Sequence, residues 1–154
     1  LSAGLFSSER GKETVYAGLQ KTRGSMELTG GVLATTNGTQ ITDITFGVTL
    51  AAGGDQVNLD STDTTNRTVI SYVDTTVTDN DLAYTTTEIV GDSDSLLEPG
   101  ELAEVTIALD TACATCIVTA NETFWLEVKP PSGSYLVIQR TTPATMSDTI
   151  VNLN

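Results

Sequence analysis

Ile44-Thr45-Phe46-Gly47-Val48-Thr49-Leu50 sets an apolar side chain at every second residue, with Thr or Gly between. Side chains of an extended strand point alternately to opposite faces, so this run offers one face to a core and one to solvent. Ala103, Val105, Ile107 and Leu109 repeat the pattern against Glu104, Thr106 and Ala108. Phe124, Leu126 and Val128 repeat it against Trp125, Glu127 and Lys129, and Leu136 and Ile138 against Val137 and Gln139. Less regular runs at 26–35, 67–73, 82–90 and 147–153 extend the set. Asn37-Gly38, Gly53-Gly54, Glu98-Pro99-Gly100, Pro130-Pro131-Ser132-Gly133 and Pro143 punctuate it with turns. Short strands with regular punctuation predict a mainly β chain, an antiparallel immunoglobulin-like β-sandwich over residues 25–154.

Upstream of that sandwich the period changes. Leu1, Leu5, Val15 and Leu19 are spaced by helical multiples, with Phe6 and Tyr16 beside them. Gly4, Gly11 and Gly18 recur on one side, each costing a helix up to about 1 kcal/mol relative to Ala. A helix that accepts this cost usually gains close packing against another. Residues 1–24 are therefore predicted to be an N-terminal α-helical segment for assembly, the alternative being a frayed tail.

Composition narrows the function. The 154 residues carry a net charge of −13. Residues 1–24 hold Arg10, Lys12, Lys21 and Arg23 against Glu9 and Glu13, whereas the remainder holds Arg67, Lys129 and Arg140 against 18 acids. So acidic a body does not suit nucleic acid, whose phosphates need clustered Lys and Arg. Histidine is absent, which removes the commonest general base and any Ser–His or Cys–His nucleophile. The acids gather in turns, and a single Trp is poor material for a sugar cleft. No enzymatic activity is expected. Thr is the conspicuous excess, 28 residues, and its branched Cβ suits a pleated, solvent-facing surface. No run approaches the roughly 20 apolar residues of a membrane-spanning helix.

Three stretches, in this order and spacing, resemble archaeal flagellins (archaellins). They are Gly4-Leu5-Phe6-Ser7-Ser8-Glu9-Arg10-Gly11-Lys12-Glu13-Thr14-Val15-Tyr16-Ala17-Gly18-Leu19, Gly91-Asp92-Ser93-Asp94-Ser95-Leu96-Leu97-Glu98-Pro99-Gly100-Glu101, and Phe124-Trp125-Leu126-Glu127-Val128-Lys129-Pro130-Pro131 continuing to Arg140-Thr141-Thr142-Pro143. The resemblance implies a structural subunit of an extracellular motility filament, the archaellum, partnered by copies of itself or paralogous subunits. Leu1, Leu5, Phe6, Val15, Tyr16 and Leu19 would then lie on the lower end of the assembly helix. The family's strongly apolar helix would precede Leu1, so the expectation is a truncated subunit whose membrane contact belongs to that missing part. The competing reading is a surface-anchored adhesion or ligand-binding sandwich, with or without a dependence on calcium.

Asp92, Asp94, Glu98 and Glu101 fall within ten residues. Four carboxylates so close repel one another, and a hard cation with oxygen ligands relieves that repulsion. Ca²⁺ accepts 6–8 oxygens in loose geometry, whereas Mg²⁺ demands a near-ideal octahedron, so Ca²⁺ is the expected cofactor. From the residues alone a solvated acidic turn is an equal alternative; the resemblance tilts the reading toward the ion. Asp79-Asn80-Asp81 reads as a turn. Cys113 and Cys116 read as a local disulfide in an extracellular chain, the alternative being two free thiols, because one CxxC without His cannot complete a zinc site. Asn37, Asn66 and Asn121 begin sequons beside turns, where a glycan could stay in solvent. Asn37 and Asn66 are preferred, since Asn121 borders the aromatic strand and could be buried. Trp125 is expected on the face opposite Phe124, Leu126 and Val128, available for a subunit contact.

Overall fold

The alternation read from sequence becomes burial in space. The computed structural model describes residues 26–147 and 149–154. In chain order the strands are β1 (Met26–Thr36), β2 (Ile41–Leu50), β3 (Val57–Asn58), β4 (Val69–Val73), β5 (Thr78–Asp79), β6 (Thr85–Val90) and β7 (Leu96–Leu97). They continue as β8 (Leu102–Ala108), a helical turn α1 (Leu109–Ala112), β9 (Thr123–Lys129), β10 (Leu136–Thr141) and β11 (Ile150–Asn152). Every pairing among them is antiparallel: a five-stranded sheet β11-β1-β2-β8-β6, a four-stranded sheet β10-β9-β4-β5, and the small pair β3-β7. The chain is therefore mainly β. The helix expected over 1–24, with its six assembly residues, lies outside the described residues.

Strand β2 is central, and Ile44, Phe46 and Val48 on it are buried. Their register partners on β8 are Ile107, Val105 and Ala103, also buried, so apolar faces meet in register rather than by length alone. Strand β9 buries Phe124, Leu126 and Val128, and Ile70 and Tyr72 of β4 join them. Tyr72 and Phe124 stack with ring centroids 6.1 Å apart. Buried residues of both large sheets belong to one core, and each fully buried Leu, Ile, Val or Phe contributes about 1.5–3 kcal/mol.

The less regular runs contain the departures. Strand β1 carries two more residues than β2 between the pairs Thr29↔Gly47 and Leu33↔Thr45, and Gly30 at φ +70 takes up the irregularity. Because two residues are added, the inward parity survives, and Met26, Val32 and Ala34 all stay buried. The strand expected to run through Leu109 ends at Ala108, because Cys113 N–H returns to Leu109 C=O at 2.9 Å and closes a helical turn. Strand β6 begins at Thr85 rather than at 82, and strand β11 is shorter than the 147–153 run.

Threonine ties the loops. In four of them an Asp or Asn side chain accepts both the N–H and the hydroxyl of the Thr two residues on: Asn37–Thr39, Asp60–Thr62, Asp63–Thr65 and Asp74–Thr76. The Thr62 hydroxyl and N–H hold Asp60 below its ordinary carboxyl pKa, and the Thr65 and Asn66 N–H groups do the same for Asp63. Buried hydroxyls are satisfied too. Tyr84 Oη donates to Thr68 C=O at 2.7 Å, and burial pushes its phenol up to about 12.

Candidate functional site

Strands β6 and β8 are antiparallel neighbours, so the chain between them must turn back on itself, and its acids converge at the turn. The carboxylates of Glu88, Asp92 and Asp94 lie within 4.8 Å of one another, and so do those of Asp92, Glu98 and Glu101. All four acids expected from the sequence thus belong to one patch, divided into two trios that share Asp92. Glu88 is the member that sequence reading missed. It stands on β6, opposite Ala103, and only the hairpin pairing brings it to the loop.

Local chemistry positions each group. Ser93 has left-handed backbone (φ 73), and its N–H donates to both Glu88 oxygens, at 2.9 and 3.0 Å. Asp94 Oδ1 accepts the Leu96 N–H at 2.7 Å. Pro99-Gly100 forms a turn closed by Glu101 N–H to Glu98 C=O at 3.1 Å, with Gly100 at φ +91, where a side chain would be strained. Glu101 Oε2 then accepts the Glu98 N–H at 2.8 Å. Leu97, buried and paired with Val57 across β7–β3, fastens the loop to the body. Glu88 and Glu101 crowd Gly91 from two sides: a Cβ there would clash with Glu88 Oε1 and lie 2.8 Å from Glu101 Oε1. Asp92 and Asp94 are exposed. An oxygen-only set of this kind suits a hard dication and offers nothing to a soft metal.

The other sequence candidates separate. Cys113 and Cys116 are bonded, with Cα atoms 5.3 Å apart. Asp79 approaches both sulfurs, but bonded sulfurs carry no thiolate, so this trio cannot bind zinc. Asp81 pairs with Arg67 at 2.6 Å and its N–H is accepted by Asp79, which makes 79–81 a turn. Asn37 and Asn66 are exposed. Asn121, the less preferred sequon, is exposed as well, because its left-handed backbone (φ 59) turns the chain before β9 begins. Trp125 is half-buried on the outer face of the four-stranded sheet, between Val73 and Gln139 in register.

A polar cleft elsewhere is lined by Tyr72, Asp74, Asn121 and Glu122. Tyr72 Oη donates to Asp74 Oδ2 at 2.6 Å; burial and this bond raise the phenol well above its ordinary value. Burial opposes ionisation of Asp74, yet the Tyr72 hydroxyl and the N–H groups of Thr76 and Val77 outweigh it and hold the carboxyl below its usual pKa. These are loop fastenings; the acidic patch is the stronger candidate for binding.

Comparison with known proteins places these features in context. Residues 1–140 match the family model for archaeal-type flagellin. A protein described as "Probable flagellin 1" from Archaeoglobus fulgidus is 35% identical over 173 aligned positions, covering 99% of this chain and 82% of the relative. The crystal structure of archaeal flagellin FlaB1 from Methanocaldococcus jannaschii shares the fold with a TM-score of 0.70 at 15% identity, over 83% of this chain and 95% of that one. A subunit from the archaeal flagellum of Methanospirillum hungatei strain JF1 matches with a TM-score of 0.65 at 21% identity, over 98% and 85%.

Proposed function

The chain belongs to the archaeal-type flagellin family, and from that premise we propose that it is a structural, non-catalytic subunit of a cell-surface motility filament. The observation that carries this reading is the extent of the match. It runs from the Leu1–Leu19 segment through both large sheets to β10, so segment and body form one unit of family pattern.

In this reading residues 1–24 form the helix that packs against copies of itself or paralogous subunits. Residues 25–154 form the outer domain, an immunoglobulin-like sandwich of the two large sheets, with its acidic and Thr-rich surface toward the medium. Glu98, Glu101, Asp92 and Asp94, joined by Glu88, hold a divalent cation, with Ca²⁺ preferred because a flexible loop gathers many oxygens more easily than an octahedron. Asn37, Asn66 and Asn121 are available to carry glycans. Trp125 meets a neighbouring subunit.

Deleting the gene in the cells that carry it tests the assignment. Electron microscopy should show loss of surface filaments, restored by the wild-type gene. Filaments that persist with an unchanged subunit mass would refute it.

A further inference from the structure

The cations of the described body are few and two of the three are already engaged. Arg67 pairs with Asp81 at 2.6 Å, and Lys129 pairs with Glu127 at 3.0 Å while donating to Ser71 Oγ at 2.9 Å. Arg140 is different. It stands on β10 opposite Phe124, a register position whose neighbours on β9 and β10 face the core, as buried Leu126 and Ile138 do. Its Nε–H is buried without an acceptor among the described residues. The bond that it donates, Nη1–H to Gln139 C=O at 2.7 Å, goes to the residue beside it in sequence. No carboxylate among the described residues pairs with it. Buried donors are almost always satisfied, so an orphan on a side chain that borders open space points to a partner gained when the guanidinium turns outward.

The open space is there. Arg140 borders a cleft of about 610 Å³ whose described lining, Gly30, Gln139, Thr141, Leu153 and Asn154, contains no acid. Asn154 Oδ1 is occupied by the Val32 N–H at 3.2 Å, which leaves its Nδ2 hydrogens as further donors. A guanidinium with a carboxamide beside it matches a planar, bidentate anion, and a carboxylate is the form of that anion found in protein surfaces.

The same chain supplies it. The densest group of carboxylates is the Glu88–Glu101 loop, where Asp92 and Asp94 are exposed. A bound dication would still leave three of its five negative charges. In the five-stranded sheet the order β11-β1-β2-β8-β6 puts Asn154, just past β11, at one edge, Gly30 on the next strand inward, and the acidic loop at the other edge. At the usual strand spacing Asn154 lies about 19 Å from the loop's edge strand and Gly30 about 14 Å from it. A chain cannot fill its own cleft across that distance, whereas a neighbour can. Complementary patches on opposite edges make a heterologous contact, the kind that propagates without closing.

We propose that the Arg140 cleft is a socket for a carboxylate of the 88–101 loop of a second copy of this chain. This rests on the filament reading and names one of its contacts. In the contact, Arg140 exchanges its bond to a neighbouring carbonyl for a charge-assisted pair, and one of the acidic body's few cations bridges subunits that would otherwise repel.

The test uses filaments built in cells from full-length chains carrying Arg140→Gln, Arg140→Lys, Arg140→Glu, or Arg140→Glu with Asp94→Lys. Arg140→Gln should raise the subunit concentration needed to sustain filaments at least about tenfold, as loss of a desolvated charge partner does. Arg140→Lys should keep part of the effect, Arg140→Glu should abolish filaments, and the charge-exchanged double variant should restore them. Melting of the isolated subunit should be the same for wild type and Arg140→Gln, which a purely structural arginine would not allow. Filaments of Arg140→Gln with wild-type persistence, or a double variant no better than Arg140→Glu, would overturn the socket. Absence of wild-type filaments would instead overturn the family-based role.

Discussion

Asp74→Ala should be among the most destabilising single changes outside the hydrophobic core, and Tyr72→Phe should reverse sign in its presence. The Asp74 carboxylate accepts four donors: Tyr72 Oη at 2.6 Å, Thr76 N–H at 2.6 Å, Thr76 Oγ1–H at 2.9 Å and Val77 N–H at 2.7 Å. Hydrogen bonds to a charged group contribute about 1.5–3 kcal/mol each, but exposed ones can be replaced by water. The Thr76 bonds are of that replaceable kind. The Tyr72 hydroxyl is not, because its residue is fully buried and an unsatisfied buried donor costs about 1–3 kcal/mol. Asp74→Ala should therefore cost about 3 kcal/mol, lowering the melting temperature by roughly 10 °C for a domain of this size. Tyr72→Phe alone removes one bond and leaves Asp74 its three others, at a cost of about 1 kcal/mol. In the Asp74→Ala background the same change deletes the orphaned hydroxyl, so it should be neutral or stabilising. Urea melts of the four proteins form the cycle. The folded-state pKa of Asp74 is depressed below 3.8, so its stabilisation is complete above that value and is lost as pH falls through the folded pKa. The gap between wild type and Asp74→Asn should narrow correspondingly in acid. Additivity of the two substitutions within about 0.5 kcal/mol would refute this reasoning.

Two further outcomes follow from the surface. Calcium at about 100 times its dissociation constant should stabilise the folded chain by roughly 2.7 kcal/mol, beyond what sodium chloride at matched ionic strength gives. Asp92→Asn, at the group shared by both trios, should abolish the calcium-specific part, and equal shifts with calcium and matched salt would show a merely solvated acidic turn. Intact-mass measurement of protein from its own cells should show added hexose-type mass that disappears in part with Asn37→Gln; an unmodified mass at all three sequons would remove glycosylation from the reading.

What could be read from residues depended on distance along the chain. The alternation in β2, β8 and β9 is local, so their cores were visible as written. Asp92, Asp94, Glu98 and Glu101 lie within ten residues, so their convergence was also visible. Glu88 was not, because a strand pairing and a register shift beside Val90 place it. A count of acids extended one strand upstream of Gly91 would have found it. Asn121 is hard to place because the aromatic strand begins just beyond it, at Phe124-Trp125, while the left-handed turn that exposes it leaves no mark in composition. Arg140 carries no signal in the sequence beyond its charge. Its register opposite Phe124 is a property of the pairing of β9 with β10, not of either strand alone.

The Asx–Thr fastenings of the loops have a consequence for how such a surface can vary. Each closes over a span of two residues, so its partners stay at high effective concentration whatever the rest of the molecule does. The loops at Asn37, Asp60 and Asp63 are thus ordered largely by bonds within themselves, whereas the Asp74 loop is also tied to buried Tyr72 of β4. An insertion beside one of them changes what the medium meets without demanding a compensating change inside. The exterior of the molecule is free to diversify at the pace of single loops, while the two sheets stay as they are.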